Sequence, residues 1–290
     1  MAEVLRAQVA APRKVVVQLG YNSNGFCSHR LSDVLPWLAE LGYQAVAITP
    51  DVGCMDPATT SLDEVAKVGR RCQELGLQVV VETGARYVLD PRRKHRPNLL
   101  EADDSWGQRL DFLRQMLTWC EELQSSILSF WSGALPEGQD DGGAFARMDH
   151  AMTELLPKAQ AAGVELALEP EPGHWIDSVQ AWREFQQSSG LPVKMTLDIG
   201  HLLISHELPI ADVIAANAEH IVNVHVDDMR SGVHHHLALG EGEISWPPVA
   251  AALNQLPADV PACLELSRDS HRFHELAAAS YAFLREAGLK

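Results

Sequence analysis

The sequence lacks any long hydrophobic run and has few basic residues. No stretch of roughly 18 consecutive apolar residues, the length that spans a bilayer, occurs in it. Residues 1–14 contain no uninterrupted apolar segment like that of a signal peptide. The 23 Lys and Arg residues are outnumbered by 39 Asp and Glu residues, so the formal net charge is −16. We therefore predict a soluble, cytoplasmic chain with no nucleic-acid or membrane partner.

The sequence also lacks the cysteine pairs and short motifs that mark several large classes of protein. Its five cysteines are scattered, and no two form a Cys-x-x-Cys pair, a pattern typical of reduced thiols in a cytoplasmic protein. No Gly-x-Ser-x-Gly, Walker A or His-Glu-x-x-His motif occurs. Serine hydrolase, nucleotide-phosphate and zincin chemistry therefore have no support.

The sequence does have a regular alternation of short apolar runs and longer amphipathic segments. We identify eight such runs, each followed by a predicted helix: KVVVQLG (14–20), YQAVAITP (43–50), LQVVVETG (77–84), SSILSFWSG (125–133), VELALEPEPG (164–173), VKMTLDIGH (193–201), HIVNVHVDD (220–228) and PACLELS (261–267). This rhythm predicts an α/β protein with a single (β/α)₈ TIM barrel. We assign residues 14–290 to the barrel and residues 1–13 to a flexible N-terminal arm.

Four of the predicted strands end in side chains that bind metal ions. The four residues are Glu169, Asp198, His225 and Glu265. The carboxyl ends of barrel strands meet at the face that carries the active site, so we expect these side chains to lie close together. Three carboxylates and one imidazole suit one divalent ion, for which Mn²⁺, Mg²⁺, Co²⁺ and Zn²⁺ all remain candidates.

The same region resembles the sugar phosphate isomerase/epimerase superfamily of xylose-isomerase-like barrels. The resemblance covers roughly residues 160–270 and is carried by LALEPEPG, TLDIGHLL, VNVHVDD, HLALGEGEISW and ACLELS. It implies that Glu169, Asp198, His225 and Glu265 hold one metal ion, and that Glu169 and Glu265 also move protons. It implies that His201 touches substrate oxygens or, in members with several metal ions, a second ion.

Other residues near these motifs are candidates for substrate binding. His236 lies four residues before Gly240, where endonuclease-type members of the superfamily place a metal-binding histidine, but a run of three histidines is also typical of a solvated loop. Asp227 shares the strand parity of His225, so it either lines the pocket or orients that imidazole. Glu82 ends the third strand and either receives a sugar hydroxyl or pairs with Arg86.

The sequence departs from two patterns within the superfamily. The trinuclear nuclease site needs histidines after the second and fourth strands, but those ends read ITPDVG and FWSG. The epimerases carry a substrate-binding acid six residues beyond the first metal ligand, and here that position is Trp175. The first departure argues against cleavage of DNA at abasic sites.

A basic segment follows the third predicted strand. Within ETGARYVLDPRRKHRPNL, five cations lie close together: Arg86, Arg92, Arg93, Lys94 and Arg96. Arginine binds phosphate and carboxylate groups in a bidentate manner, so this segment predicts an anionic substrate. On this interpretation, charge reversal at Arg92 and Arg93 raises KM. The alternative is a solvated loop that is balanced by neighbouring acids.

Together these features predict a metal-dependent isomerase or epimerase of a small sugar or related polyhydroxy carbonyl compound. Two alternatives remain. The same site could carry out a dehydration, as in the inosose dehydratases of the superfamily, because loss of a β-hydroxyl begins with the same proton abstraction. A barrel that binds a metabolite without converting it is the second alternative. The resemblance also implies a possible homo-oligomer.

Overall fold

Eight parallel strands form a closed barrel in the computed structural model, which describes residues 17–290. The strands follow one another around the barrel in chain order, and the last one pairs with the first. They are β1 (Gln18–Asn22), β2 (Ala45–Ile48), β3 (Gln78–Glu82), β4 (Ile127–Trp131), β5 (Glu165–Glu169), β6 (Lys194–Asp198), β7 (Ile221–Val226) and β10 (Pro261–Leu264). The predicted (β/α)₈ barrel is confirmed. Residues 1–13, assigned to an arm, lie outside the described residues, as do residues 14–16 of the first predicted strand.

Helices connect the strands and surround the barrel. They are α1 (Leu31–Leu41), α2 (Leu62–Leu75), α3 (Trp106–Leu123), α4 (Asp141–Ala162), α5 (Val179–Ser189), α6 (Ile199–Ile204), α7 (Ile210–Ala216), α8 (Trp246–Leu253) and α9 (Phe273–Glu286). Gly42, Gly76 and Gly163 follow three of them in the left-handed conformation, with φ of 96°, 70° and 68°. Glycine adopts this conformation without steric cost, which explains why these helices end at the predicted residues.

The apolar core fills the space between the strands and the surrounding helices. The strand residues Val46, Val81, Leu128 and Leu168 are each fully buried, as expected for parallel strands that are covered on both sides. Polar side chains lie at the carboxyl ends of the same strands. The barrel therefore collects its polar groups at one face, while burial of the apolar strand residues stabilises the scaffold.

An additional hairpin, which the sequence did not predict, follows β7. Its strands are β8 (Asp228–Arg230) and β9 (Val233–Leu237), which pair in antiparallel fashion. The buried carboxylate of Asp228 accepts four hydrogen bonds of 2.8–3.2 Å. The donors are the backbone N–H groups of Met229, Gly240 and Ile244 and the indole N–H of Trp246. These bonds hold β9, with its three histidines, against the rim of the barrel.

Glycine is required at one point of this loop. A Cβ atom at Gly242 would lie 2.1 Å from Asp228 Oδ1 and 2.4 Å from the Met229 carbonyl oxygen. The loop can approach Asp228 closely only because residue 242 has no side chain.

Within residues 17–290, no helix has both the length and the apolar character needed to cross a membrane.

Candidate active site

The four predicted metal ligands converge at the carboxyl ends of the strands. Glu169 and Asp198 end β5 and β6, His225 lies in β7, and Glu265 directly follows β10. Their ligand atoms all lie within 4.8 Å of one another. His225 Nδ1 is 2.9 Å from Glu169 Oε1, 2.9 Å from Glu265 Oε2 and 3.8 Å from Asp198 Oδ2. The arrangement follows from the barrel, because parallel strands present their last residues to the same face.

The chemistry of this group fits a divalent cation. Asp198 Oδ2 is buried and has no hydrogen-bond partner among the described residues. Three carboxylates lie within 4 Å of one imidazole nitrogen, so negative charge exceeds positive charge in a site shielded from water. Burial raises the pKa of Glu169, although nearby His225 opposes this, and burial together with Asp227 holds the pKa of Asp198 well above its usual range. A divalent ion bound by these four side chains would relieve both the charge and the missing contact.

Glu82 positions the imidazole of His225. Glu82 Oε1 lies 2.9 Å from His225 Nε2 and accepts a second hydrogen bond, of 2.9 Å, from Asn223 Nδ2. Glu82 therefore binds the ring nitrogen that faces away from the carboxylate cluster, and the other ring nitrogen, His225 Nδ1, faces the cluster. A carboxylate on the distal nitrogen of a metal-binding histidine fixes the ring and increases its basicity. Of the two alternatives for Glu82, pairing with Arg86 is wrong, because its carboxylate contacts His225 and Asn223 instead.

Three further histidines form a second group beside the first. His234 and His236 alternate along β9, so their side chains share one face of the hairpin. His201 Nε2 lies 3.1 Å from His234 Nε2, and ligand atoms of His201, His234 and His236 all lie within 4.8 Å of one another. The histidine run, for which a solvated loop was the alternative, forms a strand in which His234 is exposed and His236 is half-buried. Together with His201, these side chains could hold a second ion.

Asp227 orients His236 rather than His225. Its Oδ2 atom lies 2.6 Å from His236 Nδ1, and its Oδ1 atom accepts from the Gly200 backbone N–H at 3.1 Å. Burial opposes a charge on His236, but the Asp227 carboxylate raises the pKa of His236 to about 10. Asp227 is fully buried. The prediction that Asp227 orients His225 is wrong, because its carboxylate binds His236, and Asp227 does not line the cavity described below.

A cavity of about 420 Å³ opens above the ligand cluster. It is lined by Glu169, His225 and Glu265 of the cluster, and by Glu82, Arg86 and His236 among the predicted substrate-binding residues. His201 does not line this cavity. It is buried behind His234, where its Nδ1 atom lies 3.1 Å from the Pro170 carbonyl oxygen. The volume is typical of sites that bind small molecules.

The cavity also contains residues that the sequence analysis missed. Asn24 Nδ2 donates to Glu265 Oε1 at 2.7 Å, and Glu171 lies with its carboxylate 3.6 Å from His234 Nε2. Burial, reinforced by Glu169, holds the pKa of Glu171 well above its usual range. Glu171 could have been predicted, because it lies two residues after Glu169 and residues two apart in an extended segment point to the same face. Asn24 has no such signal, since its position depends on the short turn after β1.

The predicted basic segment divides into two parts. Arg86 and Lys94 line the cavity, whereas Arg92, Arg93 and Arg96 do not. Arg93 pairs with Asp90 at 2.6 Å and Arg96 with Glu101 at 2.8 Å. Arg92 and Arg93, whose charge reversal was expected to raise KM, therefore lie outside the cavity lining. A further cation, Arg268, enters the cavity lining from the loop after β10.

One wall of the cavity is aromatic and is surrounded by neutral histidines. The ring of Trp131 contacts His95 and His174, with centroids 5.4 and 4.8 Å away. Burial and nearby Lys94 lower the pKa of His95 to about 4, and burial with nearby His95 lowers that of His174 to about 3. His95 and His174 are therefore uncharged at neutral pH. The guanidinium of buried Arg109 lies 4.3 Å from the Trp131 ring.

We expect the neutral state of His174 to make stability depend on pH. The unfolded chain binds a proton at this residue below about pH 6.5, whereas the folded chain does not until about pH 3. The free energy of unfolding therefore falls as pH drops through 6.5, by roughly 2 kcal/mol at pH 5 for this residue. Urea unfolding at pH 7.5 and pH 5 should show a smaller loss in His174→Asn than in the wild type. His271→Asn, at an exposed position, is the control, and equal losses in all three proteins would refute the prediction.

A model of the xylose isomerase-like TIM barrel family matches residues 35–287. No curated protein matches the sequence.

Several solved structures are similar to the chain. A structure of L-ribulose 3-epimerase is 20% identical, with a TM-score of 0.73 over 94% of each chain. D-allulose 3-epimerase from Methylomonas sp., in complex with D-allulose, is 19% identical, with a TM-score of 0.72 over 94% of this chain and 97% of that one. The IolI protein with a bound zinc atom is 16% identical, with a TM-score of 0.69 over 93% of this chain and 96% of that one. At these identities the likeness concerns the fold.

Proposed function

We propose that this chain, which belongs to the xylose isomerase-like TIM barrel family, is a metal-dependent isomerase or epimerase of a small sugar or related polyhydroxy carbonyl compound. One observation carries the proposal. Glu169 and Glu265 line one cavity and both approach the same nitrogen, His225 Nδ1, at 2.9 Å. A site with two carboxylates directed at one point can both remove and return a proton.

In the proposed reaction, one of the two glutamates removes the proton on the carbon next to the substrate carbonyl. The C–H electron pair then forms the double bond of an enediolate, and the carbonyl oxygen takes up the negative charge. In epimerisation the other glutamate returns a proton to the opposite face of the same carbon, and the carbonyl forms again. In isomerisation the proton goes to the former carbonyl carbon, while the adjacent hydroxyl gives its proton to the former carbonyl oxygen and becomes the new carbonyl. A divalent ion held by Glu169, Asp198, His225 and Glu265 would supply Lewis-acid stabilisation of that charge.

The remaining side chains position the catalytic groups or contact the substrate. Asn24 holds the Glu265 carboxylate by a hydrogen bond of 2.7 Å, and Glu82 fixes the ring of His225. His236 lines the cavity and could donate to substrate oxygens, with His201 behind it supporting the histidine group. Trp131 supplies an apolar wall. Positioning of this kind lowers the barrier, because the substrate meets the bases in the reactive orientation.

Hydrogen exchange tests this function directly. The protein, loaded in turn with Mn²⁺, Co²⁺, Zn²⁺ or Mg²⁺, is incubated in D₂O with ketoses, ketose phosphates and keto acids of four to six carbons. We expect deuterium next to the carbonyl of at least one compound, together with a product of unchanged composition. Mass spectrometry and ¹³C NMR measure both.

The other outcomes identify the alternatives. Release of water with a keto or unsaturated product would show a dehydratase. Absence of both product and label with every compound and metal would show a barrel that only binds its ligand, and would overturn the proposal.

A further inference from the structure

We propose that the substrate carries an anionic group, either a phosphate or a carboxylate, which Arg86, Lys94 and Arg268 bind at the solvent end of the cavity. The inference rests on the proposed function, because it takes this cavity to be the active site. We call the three side chains the cationic mouth.

The cationic mouth is assembled from two loops. Arg86 and Lys94 belong to the loop between β3 and α3, and Arg268 belongs to the loop after β10. Arg86 Nη2 donates to the carbonyl oxygen of Ser267, the neighbour of Arg268, at 3.5 Å. All three side chains line the same cavity as Glu169, His225 and Glu265. Lys94 and Arg268 are exposed, whereas the ligand cluster is buried, so the cations lie at the solvent end.

The cationic mouth is not neutralised by the protein. Among residues 17–290, no carboxylate lies within 4 Å of the charged groups of Arg86, Lys94 or Arg268, although Arg93 and Arg96 in the same segment have carboxylate partners at 2.6 and 2.8 Å. Burial lowers the pKa of Lys94, and the charges of Arg86 and Arg268 lower it further, while Glu171 opposes the shift. Three cations that repel one another around an opening form a site that an anion would stabilise.

The opposite charges at the two ends of the cavity determine the orientation of the bound substrate. The floor carries the carboxylates of Glu169 and Glu265, which would repel an anionic group. The anionic end of the substrate therefore lies at the cationic mouth, and its carbonyl end reaches the two glutamates. A cavity of about 420 Å³ has room for a small sugar phosphate or sugar acid.

Unreactive five-carbon ligands test the cationic mouth without requiring turnover. Ribitol, ribitol 5-phosphate and ribonate share a chain length and lack the reactive carbonyl, so their binding to the metal-loaded protein is measured by calorimetry. We expect at least one of the two anions to bind about tenfold or more tightly than ribitol, as charge-assisted hydrogen bonds imply. Comparison of the phosphate with the carboxylate identifies which anion the site selects.

Matched variants locate the effect. We expect Arg86→Gln and Arg268→Gln to abolish the preference for the anion, and Arg92→Gln, at an exposed position of the same segment outside the cavity, to keep it. An anion that binds only to the metal ion would bind equally well to Arg268→Gln. Equal affinity for all three ligands, no binding of any of them, or equal effects of Arg92→Gln and Arg268→Gln would overturn the inference.

The outcomes separate this inference from the proposed function. Isotope exchange with neutral sugars alone, and no anion preference, would leave the isomerase standing and remove the anion site. Anion preference that depends on Arg86 and Arg268, with no exchange in any compound, would leave the anion site standing and remove the isomerase.

Discussion

Glu265→Gln is expected to lower turnover by at least about 10²–10⁴-fold, the range typical of a lost general base. The substitution keeps the shape of the side chain, and the amide oxygen can still accept the hydrogen bond from Asn24 Nδ2, which is 2.7 Å in the wild type. It removes the base and one negative charge from the ligand cluster. Metal affinity should therefore fall together with turnover. Initial rates at saturating metal, measured with the compound that exchanges in D₂O, separate loss of the base from loss of the ion.

Glu165→Gln is the matched control for this prediction. Glu165 is an exposed residue at the opposite end of β5 from Glu169, so the same change in charge occurs on the barrel but far from the cavity. We expect its turnover to match the wild type. Deuterium incorporation that persists at full rate in Glu265→Gln would remove this residue from the proton transfer.

Asp198→Asn is expected to weaken metal binding strongly without loss of stability in the metal-free protein. Asp198 Oδ1 caps α6 by accepting from the His201 backbone N–H at 2.9 Å, and the asparagine oxygen can keep this bond. The other position becomes an amide nitrogen, which cannot bind a cation. Affinity should fall by more than the roughly 10–100-fold that loss of a supporting group around a metal ion costs. Burial and nearby Asp227 raise the pKa of Asp198 because they disfavour its charged form, so a neutral amide removes that cost from the folded state.

Thermal unfolding with and without metal measures this prediction. An ion present at 100 times its Kd stabilises the wild type by about 2.7 kcal/mol, which corresponds to a Tm increase of roughly 5 °C in a domain of this size. We expect the increase to vanish in Asp198→Asn and to persist in Asp212→Asn, at an exposed position of α7. Titration calorimetry with Mn²⁺ or Zn²⁺ gives the affinities. A wild-type Tm that does not respond to metal, or full metal affinity in Asp198→Asn, would contradict the metal site.

The sequence by itself determined the barrel and the location of the candidate site. Hydrophobic periodicity is local, so eight apolar runs and the intervening amphipathic segments predicted eight strands and their helices. The convergence of Glu169, Asp198, His225 and Glu265 followed from the same pattern. In a barrel of parallel strands, residues at equivalent strand ends meet at one face whatever the intervening loops do.

Only the tertiary structure decided which side chains contact one another above that face. The partner of Glu82 is His225 and not Arg86, and the partner of Asp227 is His236. The sequence pattern also did not predict that Arg268 lines the cavity or that Arg92 lies outside it. These contacts join loops far apart in the chain, and loop conformation depends on turn geometry and buried polar groups that leave no period in the sequence.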